Sequence, residues 1–360
     1  MAGSRAGNRE SGSVGAVTVQ IGIGLFTGQI PPGSDRTFHQ EYRDVLGLVR
    51  LAETLGFDSA WVSEHHGSSD GYLPSLLPML AAFGAATERI RLGTGVLLTP
   101  FHDPLRLAED AAVVDQLSGG RLILGLGLGW REEEFRMFGQ PVAERVKRTV
   151  DAVEILRRAW TGERFSYQGS IHSYDGVKVT PRPMQEPGPP VYLGGFTEQA
   201  VRRAGRLGDG YIRSRGGIDH GREALAQAEE GAAAAGKDVR AFGFAQLQNA
   251  FVWDEGDAWE VAKAGATHQI GTYAAWRETH DTPEHDSLEV PDASAIAREL
   301  TPSGSPAEVV KALRPWIDAF GERDEFHLIV RLHYPGMDFE TASRAVELFG
   351  EAVIPALKGG

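Results

Sequence analysis

Short apolar runs alternate with stretches of helical period along most of this 360-residue chain. The first run is Val19–Phe26 (VQIGIGLF). In Tyr42–Leu55, which follows, Val45, Leu48, Val49, Ala52 and Leu55 recur at helical spacing and Gly56 supplies a stop. The couplet returns as Asp58–Ser63 with Leu73–Thr87, Ile90–Thr99 with Pro104–Leu117, and Arg121–Leu128 with Val142–Trp160. Repeated strand–helix units imply parallel strands joined by helical crossovers. Residues 161–190, rich in Gly, Pro, Tyr and Ser, interrupt the rhythm. It resumes with strand Val191–Leu193, helix Glu198–Leu207, strand Gly210–Arg213, helix Arg222–Ala235, strand Ala241–Trp253 and helix Ala258–Glu278. Helix Pro306–Phe320, strand Glu325–Leu332 and helix Phe339–Ile354 close the series. Eight such strands predict an α/β chain folded as a (β/α)8 TIM barrel. The expected layout is a disordered tail at 1–16 and one barrel domain at 17–360, with insertions around 161–190 and 279–304.

Composition removes several functions. With no cysteine, disulfides, thiolate metal sites and cysteine nucleophiles are excluded. A net charge of −13 argues against a nucleic-acid partner, which calls for clustered Lys and Arg. The longest apolar stretch, Leu76–Ala86, is shorter than the roughly 18–20 residues of a membrane span, so no membrane partner is expected. The Gly/Ser-rich start carries no apolar signal region, and the expected location is cytoplasmic.

Working residues of such barrels sit at the C-terminal ends of the strands. The second strand leads into Glu64-His65-His66. Neighbouring strand residues face opposite ways, so the two histidines do not share one metal, and no metal is expected. One can act as a base or donor near neutral pH, or both can stabilise the strand end. The third strand carries Thr94-Gly95-Val96, where a glycine marks close approach of backbone or ligand. The fourth ends in Gly125-Leu126-Gly127-Leu128-Gly129-Trp130, read as a strand end cleared for a flat ligand. Gly194-Gly195-Phe196-Thr197 opens a helix and reads either as an anion cradle or as a plain capped helix. At the last strand, alternation puts Arg331 and His333 on one face. His280-Asp281 and Glu284-His285-Asp286 have the composition of metal ligands but lie in a Pro-broken polar stretch, read as a solvated loop.

Several of these motifs occur in an order that resembles one family. His102–Gly139 (HDPLRLAEDAAVVDQLSGGRLILGLGLGWREEEFRMFG), with WVSEHH at Trp61–His66, LGTGVLLTP at Leu92–Pro100 and PVYLGGFTEQAVRRAGRLGDGYI at Pro190–Ile212, resembles the luciferase-like flavin monooxygenases. The resemblance implies a reduced flavin or a deazaflavin at the C-terminal mouth. It puts His65 near the reacting ring in proton transfer or peroxide handling, and implies a cis peptide at Gly95–Val96 beneath that ring. The Gly194–Thr197 turn would touch the cofactor phosphate. The family's phosphate-holding arginine is replaced here by Leu128, which leaves Arg213 or Arg131 to compensate. From about Gly216 to Leu332 no family motif stands out, so the substrate does not carry over.

The candidate catalytic set is therefore His65, Glu64 and His333. The candidate cofactor set is Thr94, Gly95, Val96, Gly127, Gly129, Gly194, Gly195, Phe196, Thr197 and Arg213. The first expectation is a monooxygenase that uses reduced FMN and O2 on a small organic substrate. A separate flavin reductase would supply the FMN, and the family implies a homodimer. The alternatives are a deazaflavin-dependent oxidoreductase that transfers hydride on the same barrel, and a non-catalytic flavin-binding protein.

Overall fold

The computed structural model describes residues 19–214, 216–278 and 292–359, with the side chains of 277 and 278 outside the description. The tail at 1–16 and the His280–Asp286 motifs also lie outside the described residues.

Eight parallel strands close into a ring. They are β1 (Gln20–Phe26), β2 (Ser59–Val62), β3 (Arg91–Thr94), β5 (Leu122–Gly127), β8 (Val191–Gly194), β9 (Gly210–Arg213), β10 (Gly243–Asn249) and β13 (Phe326–Arg331). Each pairs with the next in that order, and β13 pairs back onto β1. The fold is a (β/α)8 TIM barrel. The helices on its outside include α1 (Phe38–Thr54), α2 (Leu76–Ala86), α3 (Pro104–Ser118), α5 (Arg145–Ala159), α6 (Glu198–Leu207) and α7 (Ile218–Ala234). The later ones are α8 (Ala258–Glu278), α10 (Pro306–Phe320) and α11 (Phe339–Leu348).

Alternation along each strand sorts the core into two layers. Ile21, Ile23, Leu92, Leu124 and Leu328 face outward into the large cluster under the helices. Leu25, Trp61, Ile123, Tyr192, Ile212, Ala245, Leu247 and Ile329 fill the barrel interior. Trp61 is the bulkiest of these, and Gly93 exists to admit it. A Cβ on Gly93 would fall 2.1 Å from the indole.

Three local differences from the sequence expectation stand out, and the excursion expected at 161–190 takes a definite form. The single run Ile90–Thr99 is two strands, β3 and β4 (Leu97–Leu98), with a cis Gly95–Val96 bond between them. A short helix, α4 (Glu132–Met137), follows β5 where no helix was expected. Its apolar face is too short for a periodicity signal. The 161–190 region holds an antiparallel hairpin, β6 (Phe165–Gln168) with β7 (Ser173–Val177), outside the barrel sheet. Helix α9 (Ala293–Leu300) lies within the second expected insertion, capped by Asp292. Among the described residues no helix is long and apolar enough to cross a membrane.

Candidate active site at the barrel mouth

The chain leaves β2 through Ser63-Glu64-His65-His66, all buried. Consecutive residues point apart, and each finds a different partner. His65 Nδ1 lies 2.9 Å from Glu134 Oε1. The same oxygen accepts from the His66 backbone N–H at 2.8 Å and from Arg131 Nη1 at 3.3 Å. A carboxylate at Nδ1 makes that nitrogen the protonated one and leaves Nε2 with its lone pair. Among the described residues Nε2 makes no hydrogen bond.

Aromatic rings enclose this imidazole. Tyr72 stands 4.8 Å away edge-on, Trp276 4.7 Å, Tyr273 5.5 Å and Trp130 6.3 Å. The Tyr72 hydroxyl bonds Ser63 Oγ at 3.1 Å and meets the Tyr273 hydroxyl at 3.0 Å. The Arg131 guanidinium lies 3.9 Å over the Trp276 ring, a cation–π contact. Tyr273 and Trp276 both come from the last turns of α8, so that helix lays an apolar cover over His65. Its attachment is polar: His268 on α8 bonds Asp70 at 2.8 Å.

Glu64 turns the other way. Its Oε1 takes bonds from His66 Nε2 at 2.7 Å and His102 Nε2 at 3.2 Å, and Oε2 takes one from the Leu98 backbone N–H at 2.9 Å. Burial pushes this carboxyl up, but the His102 and His66 bonds outweigh it and hold it down at about 2. With both oxygens engaged, Glu64 ties the β2 end to β4 and presents no oxygen to the His65 pocket.

The glycines at the end of β5 serve backbone before ligand. A Cβ on Gly125 would lie 1.9 Å from the Thr94 carbonyl oxygen, and one on Gly127 would lie 2.3 Å from Val96 Cγ2. These strand positions are cleared for the Thr94–Val96 segment. Thr94 Oγ1 donates to the Gly125 carbonyl at 2.7 Å and so fastens that segment in place. Val96 is thereby set against Gly127 and Gly194. Gly129, at φ +70°, turns the chain towards α4.

The Gly194–Thr197 turn leads into α6, whose N-cap Thr197 accepts from Ala200 N at 3.3 Å. Beside it a cleft of about 300 Å³ is lined by Phe196, Arg213, Gly216, His220 and the carboxylates Glu198 and Glu223, among others. Arg213 follows Tyr211 on the outer face of β9, so it reaches this cleft and not the barrel interior. The Tyr211 hydroxyl donates to the Gly195 carbonyl at 2.8 Å and fixes the turn.

Arg331 and His333, which alternation predicts on one face, meet different neighbours. Arg331 continues the inward face of Ile329 into the mouth, where its charge acts on the buried Tyr72 hydroxyl. β13 ends at Arg331, and His333 lies beyond it. The His333 ring packs on Phe26 at 6.0 Å, with Nε2 3.7 Å from Glu41 of α1. Burial first, then the Arg36 and Arg331 charges, push its pKa down to about 4. No contact joins it to the His65 group among the described residues.

Sequence reading missed Glu134, Tyr72, Tyr273 and Trp276. Glu134 had a signal in the acidic triplet Glu132–Glu134 after a glycine-rich strand end. The aromatic residues of α8 had none, since their positions follow from how that helix crosses the mouth.

The luciferase-like monooxygenase family model matches residues 19–323. The chain belongs to this family. Similar family members include the F420-dependent glucose-6-phosphate dehydrogenases of Microbacterium testaceum and Nocardia farcinica. The first is 32% identical over 88% of this chain and 93% of its own length. The second is 31% identical over 88% and 94%. Among solved structures, the monooxygenase RslO1 of Streptomyces bottropensis superposes with a TM-score of 0.76 at 28% identity, covering 94% of this chain and 99% of its own. A flavin or deazaflavin oxidoreductase barrel is thus the common ground of these relatives.

Parts of the barrel end fit such a cofactor. Val96 stands between Gly127 and Gly194 as an apolar wall for a ring. The Gly194–Thr197 turn, with Arg213 in the adjoining cleft, offers a helix N-terminus and a cation to an anionic tail.

Proposed function

We propose that this protein is a deazaflavin-dependent oxidoreductase that oxidises a small alcohol or reduces the matching carbonyl by hydride transfer. The observation that carries the reading is the His65–Glu134 pair. It is a carboxylate-oriented imidazole with Nε2 open inside an aromatic pocket. Curated relatives at 31–32% identity with F420-dependent activity support the same choice of coenzyme.

Val96, Gly127 and Gly194 would face the ring, and the Gly195–Thr197 turn with Arg213 would hold the anionic chain. A bound deazaflavin supplies a two-electron hydride acceptor. The residues of this chain manage the proton. His65 takes the hydroxyl proton at Nε2, and Glu134 stabilises the imidazolium that results. Tyr72, Trp130, Tyr273 and Trp276 exclude water, which strengthens that charge pairing.

The similarity to RslO1 favours a second reading, an FMN monooxygenase on the same barrel. Anaerobic equilibrium titration with F420, reduced F420, FMN and reduced FMN separates the two. The expected result is preference for F420, and a His65→Asn variant that keeps that affinity while turnover falls. Tight binding of reduced FMN with none of F420 would overturn the proposal in favour of the monooxygenase.

A further inference from the structure

Among the described residues Arg331 is a buried cation without a partner. The residue is 2% exposed, and its Nε and Nη1 touch neither solvent nor an acceptor. Among the described residues the guanidinium donates no hydrogen bond and forms no ion pair. A guanidinium presents five donors in a fixed fork and stays charged at any ordinary pH. Burying such a group unpaired is strongly unfavourable, so its retention calls for an acceptor that the folded chain does not itself provide.

An acidic group that shares the surroundings of Tyr72 with Arg331 is already committed. Asp70, whose charge also acts on Tyr72, accepts from Gln29 at 2.6 Å, from His268 at 2.8 Å and from Ser68. The position of Arg331 in the ring then decides what the missing acceptor belongs to. From β13 to β5 there are four strand steps in either direction, so Arg331 stands across the mouth from Val96 and Gly127. His65 and Tyr72 follow β2 on the arc between them. If the coenzyme ring lies on the Val96 wall, as the proposed function holds, Arg331 faces the substrate side.

We infer that Arg331 is the anchor for an oxyanion group on the substrate: the chain acts on a small molecule that carries a carboxylate or phosphate as well as the reacting carbinol or carbonyl. The planar fork suits either anion in a bidentate pair. It holds the far end of the molecule while His65 Nε2 meets the reacting oxygen.

The test uses thermal unfolding of the full chain with three probe anions: acetate, benzoate and inorganic phosphate. Ethanol and benzyl alcohol serve as uncharged controls, and coenzyme affinity is titrated separately. Wild type is expected to gain several degrees with at least one anion and nothing with the alcohols. Acetate or benzoate acting alone identifies a carboxylate, and phosphate acting alone identifies a phosphate ester. Arg331→Met is expected to be at least as stable as wild type without ligand, since it removes an unpaired buried charge. It should lose the anion response, with anion affinity down about 100-fold, and keep its coenzyme affinity. Three results would overturn the inference: an Arg331→Met variant that unfolds several degrees lower while no anion shifts wild type, an anion response equal in both proteins, or loss of coenzyme affinity in the variant. Failure of wild type to bind F420 refutes the proposed coenzyme instead, and is read from the separate titration.

Discussion

Replacing Glu134 tests the centre of the site most directly, because one oxygen serves three donors. Glu134→Ala strips the acceptor from His65 Nδ1, from the His66 N–H and from Arg131, which is itself buried. Arg131 then keeps only the half-exposed Glu133, the His66 carbonyl and the Trp276 face. Breaking a buried ion pair from one side costs about 3–5 kcal/mol. Losing a fixed tautomer and the charge that stabilises the imidazolium lowers kcat by roughly 10²–10⁴-fold. Glu134→Gln is the milder variant. The carboxylate's other oxygen, Oε2, has no partner among the described residues, so an amide nitrogen there displaces no bond while the carbonyl keeps its three donors. It should cost about 1–2 kcal/mol and roughly tenfold in kcat, chiefly from the lost charge. Urea unfolding and steady-state kinetics with the bound coenzyme measure both. If Glu134→Ala stays folded, binds coenzyme and turns over within about threefold of wild type, His65 does not work through this carboxylate.

Two further outcomes follow from packing and titration. Gly125→Ala sets a methyl group 1.9 Å from the Thr94 carbonyl and should destabilise by about 1–3 kcal/mol or more, with loss of coenzyme affinity; wild-type stability in urea would mean Thr94 does not lie there. The Glu64 carboxyl, held at about 2 against an ordinary value of 4.5, stabilises the fold above pH 4.5, and that stability drains away as pH falls towards 2. Between pH 5 and pH 3 the loss from this one group is about 2 kcal/mol. Urea midpoints at the two values should therefore fall more steeply for wild type than for Glu64→Gln, and parallel falls would refute the assignment.

The barrel was legible in the sequence because its signals are local. Strand and helix periods depend on which faces are buried, and Gly210–Arg213, Ala258–Glu278 and Pro306–Phe320 end where their periodicity ends. His65 was legible for the same reason, as a chemically distinctive residue just past a strand that feeds the mouth. The glycines at the end of β5 were visible as glycines, but the backbone they make room for was not. That segment, Thr94–Val96, lies about 30 residues earlier in the chain. Partnership was likewise hidden. Glu64 and Glu134 are both acidic residues near a strand end, yet one braces β4 and the other orients His65. The aromatic cover came from α8, some 200 residues from Tyr72, at positions with no motif. Arg331 and His333 meet different neighbours, which the strand pattern alone does not show. Sequence determined the secondary-structure rhythm, and hence the kind of fold, because those preferences act over a few residues. Tertiary structure decided which groups meet, which stay unpaired and which way each faces, because buried polar contacts are set by long-range closure of the ring.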